Sequence, residues 1–514
     1  MSNSKNMLVL GAVWPEPRSS AAGAHLLQVL APFLKTGWKI DFASTAADAT
    51  HATNLPEIGI SPHTIRVNDP AFDTLLDSLQ PDIVLFDRFF IEEQFGWRVE
   101  EICPAATRIL NTEDLHSLRE SRQRANTSSP EPPPETVRPA DSRVARREIA
   151  SIFRSDLSLI ISEAEIEYLH REFGIPPDLM HYAPFMLAPP TLETQAFWPA
   201  YHERRDFICI GNFRHAPNWD AIRWMAKDIW PRIRQQLPEA RLLIAGAYPT
   251  DTQLALSNPE QGLIVEGRIE DAGAAFRQAR VCLAPLRFGA GLKGKLFDAM
   301  ASGTPSVTTT LGAEGICGEL PFGGLIADDA ERIADAAVQL YAEEAAWRDA
   351  QRKGIQILTE RFDRRAHETA LLAAVEKLCT ELTSRRQDNF TGAMLRDHFH
   401  KSTRYLSLWI EAKNKLAEQS APASPSIDEV ENIASSGTAH RSELPSRKNL
   451  MNSKWSAVHP RNKEKHFLLT RLIESKNTAQ KDPRVELEAL LSKRRFEIEL
   501  TELADKTRWR KGWI

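Results

Sequence analysis

The chain has no unbroken run of about 18 apolar residues, so the sequence offers no membrane-spanning helix. Residues 1–6 are polar, and the apolar run 7–14 is too short for a secretory leader and lacks its flanks. Cysteine is sparse: Cys103, Cys209, Cys282, Cys317 and Cys379 are the five in 514 residues, and none stands in a C-x-x-C pair. That spacing argues against zinc and dithiol motifs. It suits a reducing, cytoplasmic setting in which cysteines act as small apolar residues. An excess of one charge is also missing. Lys and Arg total 64 against 69 Asp and Glu, a net charge of −5, so no global field favours nucleic acid as a partner. The remainder is ordinary for a globular protein, 42% hydrophobic and 26% charged, with length for two or three domains.

What is present is alternation. Residues 7–13 read as a buried strand, 14–23 as a loop, and 25–35 as a helix with Leu26, Leu27, Leu30 and Leu34 on one face. Pro32 counts against a regular helix there. Strands at 38–43, 82–87, 107–111 and 157–162 alternate with helices near 71–79, 91–102, 141–154 and 163–173. This is the βαβ pattern of a parallel sheet with right-handed crossovers. The proline-rich stretch 130–139 reads as an exposed insert. After a linker at 187–203 the pattern repeats, with a helix at 218–237 and strands at 241–245, 263–266, 281–285 and 306–310. Helices at 329–343, 345–360 and 365–382 follow. The expected fold class is α/β: two Rossmann-like doubly wound domains, 1–190 and 204–385, then a helical or disordered tail, 386–514.

The most informative stretch is 285–307. A strand leads into a loop with Gly289, Gly291 and Gly294, then a short helix and a second strand. A glycine-rich loop opening a helix brings backbone N–H groups close to an anion, and the helix N-terminus favours negative charge. Lys293 and Lys295 add full charges. Asp298, one turn into the helix, is placed to accept hydrogen bonds from sugar hydroxyls. Phosphate and ribose recognition together suggest a nucleoside diphosphate. The plainer reading is a tight α/β turn with solvated lysines.

The segment L-F-D-A-M-A-S-G-T-P-S-V at 296–307 resembles the donor-site helix, L-E-A-M-A-x-G-x-P-V-V, of retaining glycosyltransferases of family 4. The resemblance extends over about 7–385, through F-I-C-I-G-N-F at 207–213, L-L-I-A-G at 242–246, V-E-G-R-I at 265–269 and G-A-E-G-I at 312–316. It implies the two-domain GT-B fold, and transfer of a sugar from a nucleotide-diphosphate donor to an unknown glycan, lipid-linked or protein acceptor with retention. Asp298 stands where the family carries its ribose-binding Glu. Ala290 stands where many members carry a second Glu, and the usual diphosphate-binding Arg and Lys are not in their places. Arg214, Lys293 and Lys295 are the candidate substitutes, with Gly291 and Glu314 as further donor contacts. The resemblance implies no cofactor and no metal, the leaving diphosphate being held by helix dipoles and basic side chains. Two rivals share the architecture: a sugar-nucleotide epimerase, and a degenerate member that binds nucleotide or a partner, for which Ala290 is the main support.

Two further regions attract attention. Residues 111–119 follow a strand end, where doubly wound sheets bind ligands. Asp114 and His116 are the candidate catalytic pair, with Arg119 beside them; the alternative is an N-cap by Thr112 or Asp114. The loop 19–23 is either an acceptor contact or a plain turn. In the tail, 418–447 reads as a flexible linker rich in Ser and Pro. Residues 484–514 place Leu487, Leu490 and Leu491 at helical spacing beside Lys493, Arg494, Arg495, Arg508, Arg510 and Lys511. That end is read as a solvated helix or, with Trp509 and Trp513, as a contact to anionic lipid at the inner membrane face or to a partner protein.

Overall fold

The computed structural model describes residues 5–47, 51–127, 142–419, 454–461, 464–473, 484–489, 494–505 and 508–511. It divides into two compact units, residues 1–420 and 421–514.

Unit one contains two parallel sheets. The first uses β1 (Asn6–Gly11), β2 (Lys39–Ser44), β3 (Ile60–Thr64), β4 (Ile83–Asp87), β5 (Thr107–Asn111), β6 (Leu157–Ile160) and β7 (Met180–Tyr182). Their order is β3-β2-β1-β4-β5-β6-β7, with Met7 opposite Ile40 on one side and Ile83 on the other. Period-two alternation splits the strands between two cores. Leu8, Leu10, Val84 and Phe86 pack with Phe72 and Phe95 on one face. Met7, Val9, Ile83 and Leu85 pack with Leu26, Leu30 and Phe33 on the other. Both faces are covered, which is why these strands read as unbroken apolar runs. The helix Ala21–Lys35 starts earlier than expected, because Ser20 caps it by accepting from Gly23 N, and it continues through Pro32.

The second sheet uses β8 (Arg205–Ile210), β9 (Leu242–Ala245), β10 (Leu263–Val265), β11 (Ala279–Ala284), β12 (Ser306–Thr308) and β13 (Gly324–Ile326), in the order β10-β9-β8-β11-β12-β13. Its core gathers Phe207, Trp230, Ile244, Val281, Leu283 and Val307. The single helix expected at 218–237 is three pieces, Ala216–Trp224, a π-helical turn Met225–Ile229, and Trp230–Gln236.

Two long helices return to the first domain. Arg364–Asp388 buries Leu371, Val375 and Leu378 against it, and Arg386 donates to Asp156 at 2.7 Å. Phe390–Gln419 packs on the helices Phe89–Ile102 and Arg143–Arg154. The tail expected from 386 therefore begins later: 386–419 belongs to the compact unit. The inward face of Phe390–Gln419 is polar, with Arg396, His400, Ser407 and Glu411 buried, so the residues that pack it on the unit are not apolar ones.

Unit two is an antiparallel sheet, not the basic helix expected at 484–514. Its strands are β14 (Lys454–Arg461), β15 (Glu464–Ile473), β16 (Arg484–Ala489), β17 (Arg495–Glu499) and β18 (Trp509–Lys511), ordered β17-β16-β15-β14-β18. Val485, Leu487 and Ala489 are buried at period two and pack with Trp455, Phe467, Leu469 and Trp509. The helical spacing used Leu490 and Leu491, which lie outside the described residues, as do Lys493, Trp513 and the proline-rich 130–139.

Candidate functional site

The site lies where the carboxyl ends of both sheets of unit one face each other. From β11 the chain enters the loop 285–293 and then the helix Gly294–Ala301. Gly291 adopts φ +64, and a Cβ there would come within 2.9 Å of the Asp114 Cβ, so both backbone and space demand glycine. Its N–H donates to Glu165 Oε1 at 2.8 Å, and Leu115 N donates to the same oxygen at 3.0 Å. Glu165 thus ties the loop to the first domain from within the protein. Burial pushes its carboxyl up to about 8, and its Oε2 has no partner among the described residues. Ala290 is buried in the first-domain cluster that holds Leu115 and Leu118. Arg122 completes the junction, donating to Gly289 O at 2.9 Å and to both Glu314 oxygens at 2.7 and 2.8 Å.

The two lysines differ. Lys293 is buried, and its Nζ donates to Gly291 O at 2.5 Å; burial lowers its pKa. Lys295 is half-buried and donates to Asn218 Oδ1 at 2.7 Å. Its Nζ lies against Gly211, where a Cβ would come within 2.9 Å of it. Asp298, one turn on, reaches solvent, and its carboxylate has no hydrogen-bond partner among the described residues. Desolvation by the surrounding protein pushes it up to about 6, with no nearby cation holding it down. Arg214 stacks on Tyr248 at 3.9 Å from the ring centroid, and Tyr248 donates to Glu16 at 2.7 Å across the cleft. Asn212 reaches Ser19 O at 3.4 Å, so the loop expected at 19–23 does face the second domain.

On the opposite wall, Asp114 pairs with Arg119 and lies 3.7 Å from His116 Nε2. Burial opposes its charge, but Arg119, His116 and His215 outweigh that and hold the carboxyl below its usual range. Burial pushes His116 down to about 4, Asp114 pulling the other way and Arg119 and Arg88 assisting. His215 is pushed down to about 4 by burial too, and it shares Asp114, Arg119, Lys295 and Lys293 as charged neighbours. The structure therefore groups Asp114, His116, Arg119, Lys293 and Lys295. It sets Glu314 in an ion pair with Arg122 and Arg214 on the rim.

The expected N-cap is not made by Thr112 or Asp114. The helix His116–Thr127 is capped by Glu148, which accepts from His116 N at 2.8 Å, Ser117 N at 3.1 Å and Ser117 Oγ at 2.5 Å. Thr112 Oγ1 donates to Leu159 O instead. Burial pushes Glu148 up to about 7. Beneath this wall, Arg88 (φ +76) and Glu113 (φ +60) hold left-handed backbone at the ends of β4 and β5. Asn111 donates to Glu113 at 2.8 Å, and His25 Nδ1 lies 3.6 Å from it.

Sequence reasoning missed Glu165, Glu148, Arg122 and His215. Glu165 left a signal: it stands four residues before the buried Leu169, on the inward stripe of its helix. The other three left none, since their partners lie 31 to 192 residues away in sequence or across the cleft.

Residues 204–343 match the family described as Glycosyl transferases group 1, and 453–514 match one described as Tryptophan-rich protein (DUF2389). No curated protein matches the chain. Among solved structures, sucrose-phosphate synthase from Thermosynechococcus elongatus is similar at TM-score 0.53 and 15% identity, over 73% of this chain and 99% of that one. Anabaena HepE, solved in complex with UDP and glucose, is similar at TM-score 0.52 and 14% identity, over 73% and 100%. A trehalose 6-phosphate synthase from Burkholderia multivorans follows at TM-score 0.50 and 13%, over 74% and 100%. At these identities the likeness is one of fold, and it assigns the two α/β domains of unit one to the GT-B architecture.

Proposed function

We propose that the chain transfers a glycosyl group from a nucleoside-diphosphate sugar to an acceptor hydroxyl. The observation that carries this is the placement, on one turn of the helix Gly294–Ala301, of Lys295 and of an Asp298 carboxylate that has no partner among the described residues. Both stand at the carboxyl ends of a parallel sheet, where such folds bind ligands. Lys295 and the first N–H groups of the helix would hold the diphosphate and stabilise its charge as the bond to the anomeric carbon breaks. Asp298 would accept the ribose hydroxyls. Lys293, buried against Gly291 O, would hold the loop. The acceptor oxygen would bond the anomeric carbon from the first-domain side and give its proton to His116, which is neutral near pH 7 because burial lowers it to about 4; Asp114 would orient that ring. Retention of configuration belongs to the proposal through the resemblance of 296–307, and no side chain is assigned as nucleophile.

UDP is the first probe, since it is the nucleotide in the HepE structure. In calorimetry UDP should bind, and Asp298→Ala should weaken it about tenfold or more, the loss of one hydrogen bond or two. Absence of binding by any nucleoside diphosphate would overturn the proposal. A second reading, nucleotide binding without transfer, is favoured by Ala290, which presents a buried methyl where many relatives present a carboxylate. Tight UDP binding with neither transfer nor donor hydrolysis would select it.

A further inference from the structure

The helix Phe390–Gln419 is inverted. Its packed face carries Arg396, His400, Ser407 and Glu411, all buried. Arg396 donates to Arg154 O at 3.1 Å, His400 lies 3.5 Å from Glu92, and Glu411 pairs with Arg98. Its outer face is apolar. Met394, Tyr405, Trp409 and Leu416 recur at intervals of 11, 4 and 7, which is one stripe of a helix. Tyr405 is 67% exposed, Trp409 60% and Leu416 63%. The part of this stripe from Tyr405 to Leu416 is an exposed apolar surface of the kind that marks an interaction site.

The charges around the stripe identify the occupant. From Met394 to Leu416 the exposed ionisable side chains of this helix besides Tyr405 are Asp397, His398, Lys401, Lys413 and Lys415, with Arg404 half-buried and Glu411 buried, so the surplus beside the stripe is basic. Lys401 pairs with Asp397 and Arg404 with Glu101. Lys413 lies over the Trp409 ring at 5.4 Å, and neither it nor Lys415 has a carboxylate partner among the described residues. Leucine and interfacial aromatics edged by free lysines match the headgroup boundary of an anionic bilayer. A two-fold contact with a second copy would set like charges against each other. We propose that this face docks the protein in the plane of an anionic lipid surface.

The proposal relocates the membrane contact expected in the tail. There Trp509 is buried in the sheet core, Arg508 pairs with Glu502 at 2.8 Å, and Arg495 with Glu488 at 2.8 Å. The test is co-sedimentation of the full chain with phosphatidylcholine vesicles, with and without phosphatidylglycerol. Wild type should sediment only with the anionic vesicles. Tyr405→Ser/Trp409→Ser and Lys413→Glu/Lys415→Glu should each weaken binding at least about tenfold with unchanged thermal stability. Four results would overturn the proposal. Failure of anionic vesicles to bind wild type is one, and binding of both variants as strongly as wild type is another. A mass by light scattering that halves in the Tyr405/Trp409 variant would assign the face to a second copy. Loss of thermal stability in that variant, with unaltered vesicle binding, would assign it to cover by the chain itself.

Discussion

Two corners of unit one have the same local plan, a parallel strand, a loop, and a helix opening at the sheet's carboxyl edge. At the first, β5 leads to the helix His116–Thr127, whose leading N–H groups are taken by the buried Glu148, while Leu115 N is taken by Glu165. At the second, β11 leads to Gly294–Ala301, whose first turn has no acidic residue and whose Asp298 carboxylate has no partner among the described residues. Helix N-termini attract anions in general. Here one has been filled by the protein's own carboxylates and the other carries no side-chain cap among the described residues, so motif alone does not locate a ligand. The distinction lies in which donors the fold has already satisfied.

The largest expected effect tests the filled corner. Glu148→Ala strips partners from the part-buried His116 N–H and from the buried Ser117 N–H and hydroxyl. At about 1–3 kcal/mol for each group left unsatisfied, urea denaturation should show a loss of at least about 3 kcal/mol. A neutral result would mean that water caps this helix and that the two corners are alike. The open corner should behave in the opposite way. Lys295→Ala should reduce nucleoside-diphosphate affinity by roughly tenfold or more and leave the melting temperature unchanged, since charged hydrogen bonds contribute about 1.5–3 kcal/mol. Lys293→Ala should lower the melting temperature, because its Nζ closes the loop on Gly291 O. Equal losses of affinity in both, measured by calorimetry, would erase the division between them.

Glu165 sharpens the comparison through pH. Its folded value near 8 lies above the unfolded value of about 4.3, so the native state binds more protons between those limits. Its contribution to stability is complete below pH 4 and is lost as pH rises to 8. Glu165→Gln keeps the acceptor for Leu115 N and Gly291 N without the ionisation. Its melting temperature should gain on wild type across that window and run parallel above it; a constant offset at every pH would show that Glu165 is already ionised in the fold. The smallest effect belongs to Arg122→Ala. Its pair with Glu314 is about a quarter exposed, so solvent screening limits the loss to about 1 kcal/mol. A larger loss in denaturation would show that the junction acts as one network with Glu165.

Where both faces of a strand are buried, the fold was legible. β1, β4, β9 and the Val281–Ala284 part of β11 announce themselves as short apolar runs because both faces of their sheets are covered. The sequence did not show β3, β7 and β13, which are edge strands. β3 even contains Pro62, tolerated because an edge N–H needs no ladder partner. The alternation Val485, Leu487, Ala489 was present but was masked by Leu490 and Leu491, which mimic a helical spacing. Of the site, the loop glycines, Lys295 and Asp298 were readable because one local segment carries them. Glu165, Glu148 and Arg122 were not, because each acquires its meaning from a partner that only the tertiary fold brings near.

The junction between the domains also has a meaning in time. Glu165 to Gly291, Arg122 to Glu314, Tyr248 to Glu16 and Asn212 to Ser19 all span the cleft around the helix Gly294–Ala301. On the proposed function, a ligand as large as a sugar nucleotide would wait for some of these contacts to part, and its product would wait again. The Glu165 bond is buried, and the other three are part-buried polar contacts. Turnover would then be paced by hinge opening on the microsecond-to-millisecond scale of domain motions rather than by bond making.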